Sequence, residues 1–316
     1  MSTLLLRRIA LIPLLLVGVT LSMQLLYLLL PGDPAATLAG GENASLSQVE
    51  RIRAELKLDQ PFYVAYWDWL THAVRFDFGR SLVTDQGVAE ELFRRLPATL
   101  SLGVVALVIA IAMGLIGGVF AAIRCGGFFD RLLLAVTSAG MAVPAFIIGI
   151  VLIVVFAVEL GVAPAIGYVP ISESPAEWAR HIVMPAIAVA IAPAARIART
   201  LRGSLIQALD SPYVLTAWSK GGRARVVILR HALRNSLIPT LTVLGLQVDL
   251  LIGGSLIVEN VFSVPGVGAY VANAATGSDL PVIQGAVVLF ALATILANLA
   301  VDIAYGIFNP KVRVSS

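Results

Sequence analysis

DSPYVLTAWSKGGRARVVILRHALRNSLIP, residues 210–239, is a basic segment punctuated by proline and glycine inside an otherwise apolar chain. It holds Lys220 and four arginines. Ser211 suits the N-cap of a helix, Pro212 suits its first position, and Gly221 suits the left-handed turn that ends it. The segment therefore predicts a short helix from Pro212 to Lys220 with a stop signal at each end.

The remainder of the chain indicates a membrane setting for this segment. Hydrophobic residues make up 59% of the chain and charged residues 13%, whereas a soluble domain is about 25% charged. A helix that spans the bilayer needs about 20 apolar residues, because its backbone polar groups must be satisfied within the segment. The sequence predicts an all-α integral membrane protein with six transmembrane helices. The predicted spans are 9–30, 96–123, 132–158 and 280–301, which lack charges, and the weaker 182–200 and 235–258.

The distribution of lysine and arginine predicts an N-in, C-in orientation, because basic residues collect in short cytoplasmic loops. The loop 259–279 has no lysine or arginine, and the loop 159–181 has only Arg180. The loop 31–95 holds seven basic residues, but the rule applies only to loops of up to about 60 residues. The basic residues assigned to the cytoplasm are Arg7, Arg8, Arg124, Arg131, those from Arg199 to Arg234, Lys311 and Arg313.

The predicted domain organisation follows these spans. Residues 1–30 form the first transmembrane helix, because an apolar run of about 22 residues favours an uncleaved anchor over a secretory signal, whose apolar region has about 7 to 15. Residues 31–98 form an outer subdomain. Residues 99–308 form a five-helix core that contains a cytoplasmic loop at 201–238, and residues 309–316 form a cytoplasmic tail.

The outer subdomain is predicted to be folded. Ser47 and Glu50 match a capping box that opens a helix through about Leu56, and Pro61 starts a second helix. The second helix carries four aromatic residues, namely Tyr63, Tyr66, Trp67 and Trp69. Such side chains suit a membrane interface, and they suit packing of a loop on the helix bundle equally well.

Several kinds of catalysis find no support in the sequence. A P-loop needs a Gly-Lys pair, and none of the three lysines follows a glycine. The three histidines are far apart and form no zinc-binding motif, and Cys125 is the single cysteine. We therefore expect a chain that is not an enzyme and that itself binds no metal or cofactor.

Polar residues within the last two spans are candidates for a translocation path. A carboxylate that faces lipid costs about 2.5–3.5 kcal/mol on insertion scales, so Asp249 and Asp302 are expected to face the bundle or water. Gln247 and Asn298 add to this polar interior. Hydrogen bonding between helices is the alternative, and it is favoured for Asp302 because this residue lies near the membrane exit.

The loop and several other motifs together carry a family resemblance. Tyr213–Gly221 followed by His231–Pro239 resembles the cytoplasmic loop signature of the membrane subunits of binding-protein-dependent ABC importers, in particular the B-type permease subunit of dipeptide and oligopeptide importers. The general motif starts Glu-Ala-Ala, whereas this chain has Leu215-Thr216-Ala217. The other matching stretches are 31–34 (PGDP), 77–81 (DFGRS), 262–268 (FSVPGVG), 279–285 (DLPVIQG) and 302–310 (DIAYGIFNP).

The resemblance implies a type I ABC importer permease fold with a cytoplasmic coupling helix, in a multi-pass protein of a prokaryotic inner membrane. It implies as partners a homologous C-type permease, two ABC ATPase subunits that hold ATP and magnesium, an extracytoplasmic solute-binding protein and a peptide substrate, in a lipid bilayer and without nucleic acid. The residues that match the coupling motif are Tyr213, Thr216, Ala217, Lys220 and Gly221.

Other interpretations of the sequence remain open. The arginines of the loop could anchor to anionic lipids instead of a protein, and the two roles are compatible. Closely similar subunits import nickel chelates, glutathione or opines. A secondary transporter is expected to show inverted repeats, which this sequence lacks. A purely structural membrane partner would need no capped cytoplasmic helix, and no stiff amphipathic continuation such as that formed by Val226, Val227, Leu229 and Leu233.

Overall fold

The computed structural model describes residues 2–28, 35–36, 39, 45–55 and 59–308. Within its helices the side chains of residues 2–11, 26–28, 55, 248–250, 252, 302 and 304–308 are outside the description. The described part is mostly α-helical, and its single β-type contact is an isolated bridge between Arg80 and Gly87. The all-α class predicted from the sequence is therefore confirmed for these residues.

The described helices account for most of the described chain. In order they are α1 (Ser2–Leu28), α2 (Leu46–Glu55), α3 (Phe62–Ala73), α4 (Val88–Ile123), α5 (Phe128–Ala142), α6 (Ala145–Leu152), α7 (Pro175–Leu209), α8 (Pro212–Ser219), α9 (Leu233–Val261), α10 (Val267–Thr276) and α11 (Leu280–Phe308). A π-helical segment, Ile153–Glu159, extends α6. One helical turn, Ala224–Val226, and a π-helical segment, Val227–Ala232, lead into α9.

Length and composition allow three membrane crossings among the described residues, or four if a bent pair counts as one. The three are α4, α7 and the part of α11 from Leu280 to Val301, and the bent pair is α5 with α6. In α1 the described apolar part is the shorter Ile12–Leu25. Six spans therefore remain a prediction.

The predicted span 132–158 is not one straight helix. Helix α5 ends at Ala142, and the pair formed with α6 is bent by 106°. Val143 has extended backbone angles, φ −88° and ψ 125°, because a residue that precedes a proline is pushed out of the helical region. Pro185 and Pro193, by contrast, lie inside the continuous helix α7.

Among the described residues, one compact unit comprises 98–265 and 296–308, and its core is organised around α7. Four alanines at four-residue spacing are buried on this helix: Ala186, Ala190, Ala194 and Ala198. On α4, a Cβ atom at Gly118 would lie 2.8 Å from the Ala198 carbonyl oxygen, and one at Gly114 would lie 2.6 Å from Ile197 Cγ2. Small residues at this spacing let helix backbones approach closely, as is typical of membrane helices.

The other compact unit comprises residues 2–97 and 266–295. The buried carboxylate of Asp279 accepts hydrogen bonds from the Ser81 hydroxyl and from the Leu82 backbone N–H at 3.1 Å. It thereby attaches the loop before α4 to the start of α11. Between α1 and α11, Gln284 Nε2 donates to Gln24 Oε1 at 2.6 Å. These bonds satisfy polar groups that would be costly to bury alone.

The aromatic residues of α3 divide between the two predicted roles. The Tyr66 hydroxyl lies 3.0 Å from Thr20 Oγ1 of α1, and Tyr66 is buried. Tyr63 and Trp67 are largely exposed. Packing therefore accounts for Tyr66, whereas Tyr63 and Trp67 keep their rings available to the surroundings.

The capping box of α2 lies two residues before its predicted position. The Gln48 backbone N–H donates to Ser45 Oγ at 3.3 Å, and the Ser45 N–H donates to Gln48 Oε1 at 3.2 Å. The prediction of Ser47 and Glu50 was wrong because the sequence carries the same pattern twice, and α2 already begins at Leu46. The predicted helix itself is confirmed, as is the helix that follows Pro61.

We expect Gly118→Ala to destabilise the protein by about 1–3 kcal/mol, because the added methyl group would meet a backbone oxygen that cannot move aside. Gly103, on the same helix, has open space around its Cβ position. Gly103→Ala should therefore be neutral or stabilising by up to about 1 kcal/mol. The unfolding temperature of the detergent-purified protein measures both effects. Equal shifts for the two variants would contradict the close packing of α4 on α7.

Candidate functional site

The short helix predicted in the basic segment is present as α8. Pro212 occupies its first position and Ser211 its N-cap, where Ser211 has φ −77° and ψ 148°. The hydroxyl of Ser211 does not cap α8, however. It donates to the carbonyl oxygen of Ala208, in the last turn of α7. The predicted cap is therefore right in position and differs in hydrogen bonding, since the side chain joins α8 to the helix before it.

The turn that ends α8 requires two glycines for different reasons. Gly221 has φ +75°, which confirms the predicted left-handed turn. The Gly221 N–H donates to Trp218 O at 2.9 Å and the Gly222 N–H to Ala217 O at 3.2 Å, and these are the paired bonds of a Schellman motif. At Gly222 a Cβ atom would lie 2.8 Å from both Ala217 O and Val227 Cγ2, so a side chain would push the next segment away.

Val214 fixes α8 to the helices beneath it. This side chain is 0% exposed. The described residues that form the cluster with it come from α4, α7 and the segment before α9, and they are Ala122, Leu205, Val227 and Ala232. Ala217 packs against the same cluster. Of the five predicted coupling residues, Ala217 therefore lies on the side of α8 that contacts the bundle.

The remainder of α8 is open and largely apolar. Three large side chains are about half exposed, namely Tyr213, Leu215 and Trp218. Thr216 and Lys220 are exposed beside them, and we call these five residues the docking face. Basic residues follow it in the chain, since Arg223, Arg225 and Arg230 are exposed in the next segment. An apolar centre with a charged rim is typical of a protein interaction surface.

The C-terminal end of α7, which carries α8, is attached to α5 by arginines. Arg202 donates to both carboxylate oxygens of the buried Asp130, with 2.7 Å between Nη2 and Oδ2. The Gly126 N–H donates to the same Oδ2 atom at 2.8 Å. One turn earlier, Arg199 Nε donates to Thr137 Oγ1 at 2.8 Å. A two-pronged arginine–carboxylate contact fixes orientation as well as distance.

A pair of serines attaches α7 to α9 at the same level. Ser204 Oγ lies 3.0 Å from the Ser236 carbonyl oxygen, and Ser236 Oγ lies 3.3 Å from the Ser204 carbonyl oxygen. Such contacts require the two backbones to be close. The base of α8 is therefore held by apolar packing, by an ion pair and by hydrogen bonds at once.

The structure places the four predicted path residues differently. Gln247 is 2% exposed, and its Oε1 atom accepts from Arg196 Nη1 at 3.1 Å. Its Nε2 atom donates to Val243 O at 3.1 Å. Asn298 is half-buried on α11. The side chains of Asp249 and Asp302 lie outside the described residues.

Several residues of this site were missed by sequence reasoning. Val214 carries the attachment, Leu215 and Trp218 carry the exposed apolar surface, and Asp130 is the partner of Arg202. One signal was available: an eight-residue helix with large apolar residues around its circumference needs a partner on more than one side. The Asp130–Arg202 contact had no such signal, because 72 residues separate its members.

Comparison with known families identifies the chain. The model described as binding-protein-dependent transport system inner membrane component matches residues 114–314. The model of the N-terminal membrane component of the same transport systems matches residues 1–103. The chain belongs to this family, so it is a permease of the ABC transporter class and a multi-pass membrane protein. The resemblance found in the sequence is confirmed.

Individual relatives match over nearly the whole chain. A Brucella abortus (strain 2308) protein with the provisional name of a peptide transport system permease protein is 41% identical over 314 residues, 99% of each chain. The glutathione transport system permease protein GsiC of Escherichia coli (strain K12) is 39% identical over 307 residues, 97% of each chain.

A solved structure supports the fold. The structure of the MetNI methionine ABC transporter in inward-facing conformations is similar, with a TM-score of 0.56 at 19% sequence identity. The match covers 69% of this chain and 96% of the chain in that structure. At this identity the likeness concerns the fold alone, which is that of an ABC transporter permease of type I.

We expect Val214→Ala to lower the free energy of unfolding by about 2 kcal/mol, because it removes buried methyl groups and leaves a cavity beneath α8. Leu215→Ala is the matched control, since this neighbouring side chain is 53% exposed. Thermal unfolding in detergent, together with limited proteolysis of the loop, measures the difference. Similar stability losses at the two positions would contradict the attachment of α8 through Val214.

Proposed function

We propose that this chain forms half of the translocation path of an ATP-driven peptide importer, and that α8 couples the path to an ATPase subunit. The observation that carries the proposal is the docking face, an exposed apolar surface on a helix fixed to its bundle by Val214. An exposed Leu215 or Trp218 costs free energy unless a partner covers it. The family membership makes an ATPase subunit the fitting partner.

The attachment of α8 suits the transmission of force. When the ATPase subunits close, a cleft that holds the docking face moves α8. The Schellman turn at Gly221 and the Val214 cluster keep α8 from rotating on its base. Arg202 and Asp130 then carry the displacement to α5, and the serine pair carries it to α9. In this mechanism ATP and magnesium are bound by the ATPase subunits.

The proposed arrangement in the membrane has six spans with both termini in the cytoplasm. In this orientation the docking face and its basic surroundings lie on the side where ATP is available. The proposal also retains residues 31–98 as the outer subdomain and 309–316 as the cytoplasmic tail. The homologous C-type permease forms the other half of the path, and an extracytoplasmic binding protein delivers the substrate.

Peptides are the proposed substrate class. One relative has the name of a peptide permease and another that of a glutathione permease. Glutathione is itself a tripeptide, so both names agree on a small peptide with free carboxylates. Gln247, Asp249, Asn298 and Asp302 are proposed to line the path.

Uptake by reconstituted vesicles tests the proposed function. We expect uptake of radiolabelled dialanine or glutathione only when both permeases, the ATPase subunits, the binding protein and ATP are all present. Omission of the ATPase subunits should abolish uptake, because the sequence contains no P-loop motif. Uptake by this chain alone, driven by an ion gradient, would instead establish a secondary transporter.

Gly221→Val should uncouple ATP hydrolysis from transport. The backbone at Gly221 is left-handed, which costs a β-branched residue about 1–2 kcal/mol, so the end of α8 should shift. We expect peptide uptake per ATP hydrolysed to fall at least about tenfold. A tenfold change corresponds to a free-energy loss of about 1.4 kcal/mol. Gly161→Val is the matched control, because Gly161 is also left-handed with open space around it but lies outside the loop. Equal coupling in the two variants would refute the role of α8.

A further inference from the structure

Arg196 is an arginine at membrane depth whose described hydrogen-bond partner is neutral. It lies on α7, and its Nη1 atom donates to Gln247 Oε1 at 3.1 Å. Gln247 is held in turn by its bond to Val243 O. The amide thus orients the guanidinium group without neutralising its charge. A guanidinium group has five N–H donors in a fixed fork, and apart from the one bonded to Gln247 they have no hydrogen-bond partner within the part of the chain that the structure describes.

The depth of Arg196 follows from its position along α7. Arg202 meets Asp130 at the first turn of α5, ahead of the apolar part of that helix. Six residues of α-helix separate Arg196 from Arg202, a rise of about 9 Å. Arg196 therefore lies about a third of the way into a hydrocarbon layer of about 30 Å. At such depth an arginine normally faces the bundle interior or a water-filled cavity.

The face of α7 that carries Arg196 continues toward the end of the helix with small or polar residues that are at least partly exposed. At 100° per residue, Thr200, Gly203 and Gln207 all point within about 40° of Arg196. All four residues are at least partly exposed, and the Cβ position of Gly203 has open space around it.

We propose that Arg196, oriented by Gln247, binds a free carboxylate of the substrate as it moves along the path. This inference rests on the proposed function and adds the chemical class that the path recognises. A guanidinium group donates two parallel hydrogen bonds to a carboxylate. Dipeptides carry one such group at the C-terminus, and glutathione carries two.

The test compares dialanine with its C-terminal amide in vesicles that contain the complete transporter. Each peptide is loaded to saturation on the binding protein, as verified by its own titration, so that delivery is equal. In Arg196→Gln we expect the uptake rate of dialanine to fall about tenfold and that of the amide to remain within about twofold, since only the carboxylate loses its charged partner. Arg196→Lys keeps the charge and should retain most of the preference.

Gln247→Glu provides a second test that keeps the size of the side chain. Its carboxylate would pair with Arg196 and occupy the proposed site, so the preference for dialanine over the amide should again disappear. This variant decides the question if Arg196→Gln fails to assemble with its partners. Arg180→Gln is the control, because Arg180 lies exposed near the start of α7, paired with Glu177 at 3.1 Å. It should retain the wild-type preference.

The lipid composition of the vesicles separates a substrate carboxylate from a lipid headgroup as the ligand. All assays use phosphatidylcholine alone and are repeated with added phosphatidylglycerol. A loss of preference in both vesicle types supports the proposal. An effect of Arg196→Gln that appears only with phosphatidylglycerol, an equal loss for both peptides, or no loss for either would overturn it.

Failure of the proposed function would look different from failure of this inference. If the wild-type complex does not take up either peptide in an ATP-dependent manner, the proposed function is refuted. If it takes up both peptides and Arg196→Gln leaves their ratio unchanged, the function stands and the carboxylate site is refuted.

Discussion

Close approach of α7 to its neighbours, through residues with little or no side chain, is the constraint on which the first compact unit depends. Helices in a bilayer gain no hydrophobic free energy by associating, so the contact area between them has to come from backbone proximity. Gly114 and Gly118 of α4 leave room for Ile197 and Ala198, and Gly140 of α5 leaves room for Ile191. Since α7 carries Arg196, Arg202 and, at its end, α8, the positions of all these groups follow from that packing.

The same helix changes its bonding along its length. In its apolar half, alanines such as Ala190 and Ala194 pack without polar contacts. Toward its C-terminal end the contacts become directional hydrogen bonds, from Arg199 to α5, from Arg202 to Asp130 and from Ser204 to the Ser236 carbonyl oxygen. Directional contacts resist rotation and sliding, whereas smooth alanine surfaces tolerate small shifts. A force applied to α8 therefore acts on the part of α7 that is most firmly connected to α5 and α9.

Local features of this chain were predictable from the sequence, and contacts between distant segments were not. Pro212 and Gly221 specify the ends of α8 because their effects act within one turn. The box at Ser45 and Gln48 was misassigned because two copies of one short pattern compete for the same helix start. The bend at Val143 was not predicted, although Pro144 causes it. An uncharged run indicates that a segment is long enough to span a membrane, but it does not indicate whether the helix is straight. The pairing of Arg202 with Asp130 depends on the rotation of two helices, which no local pattern encodes.

The departure at Leu215 has a physical consequence for partner choice. The general loop motif has a glutamate at this position, in a segment that also carries the exposed Lys220, Arg223 and Arg225. A carboxylate would reduce the positive charge of the docking face and would require a polar partner. Leu215 instead leaves an apolar centre within a basic rim, so its complement is an apolar cleft with acidic edges. A cleft that had evolved for the glutamate would bury that leucine against polar groups and leave them unpaired, at about 1–3 kcal/mol each. We therefore expect this permease to discriminate between ATPase subunits of closely related transporters at this residue.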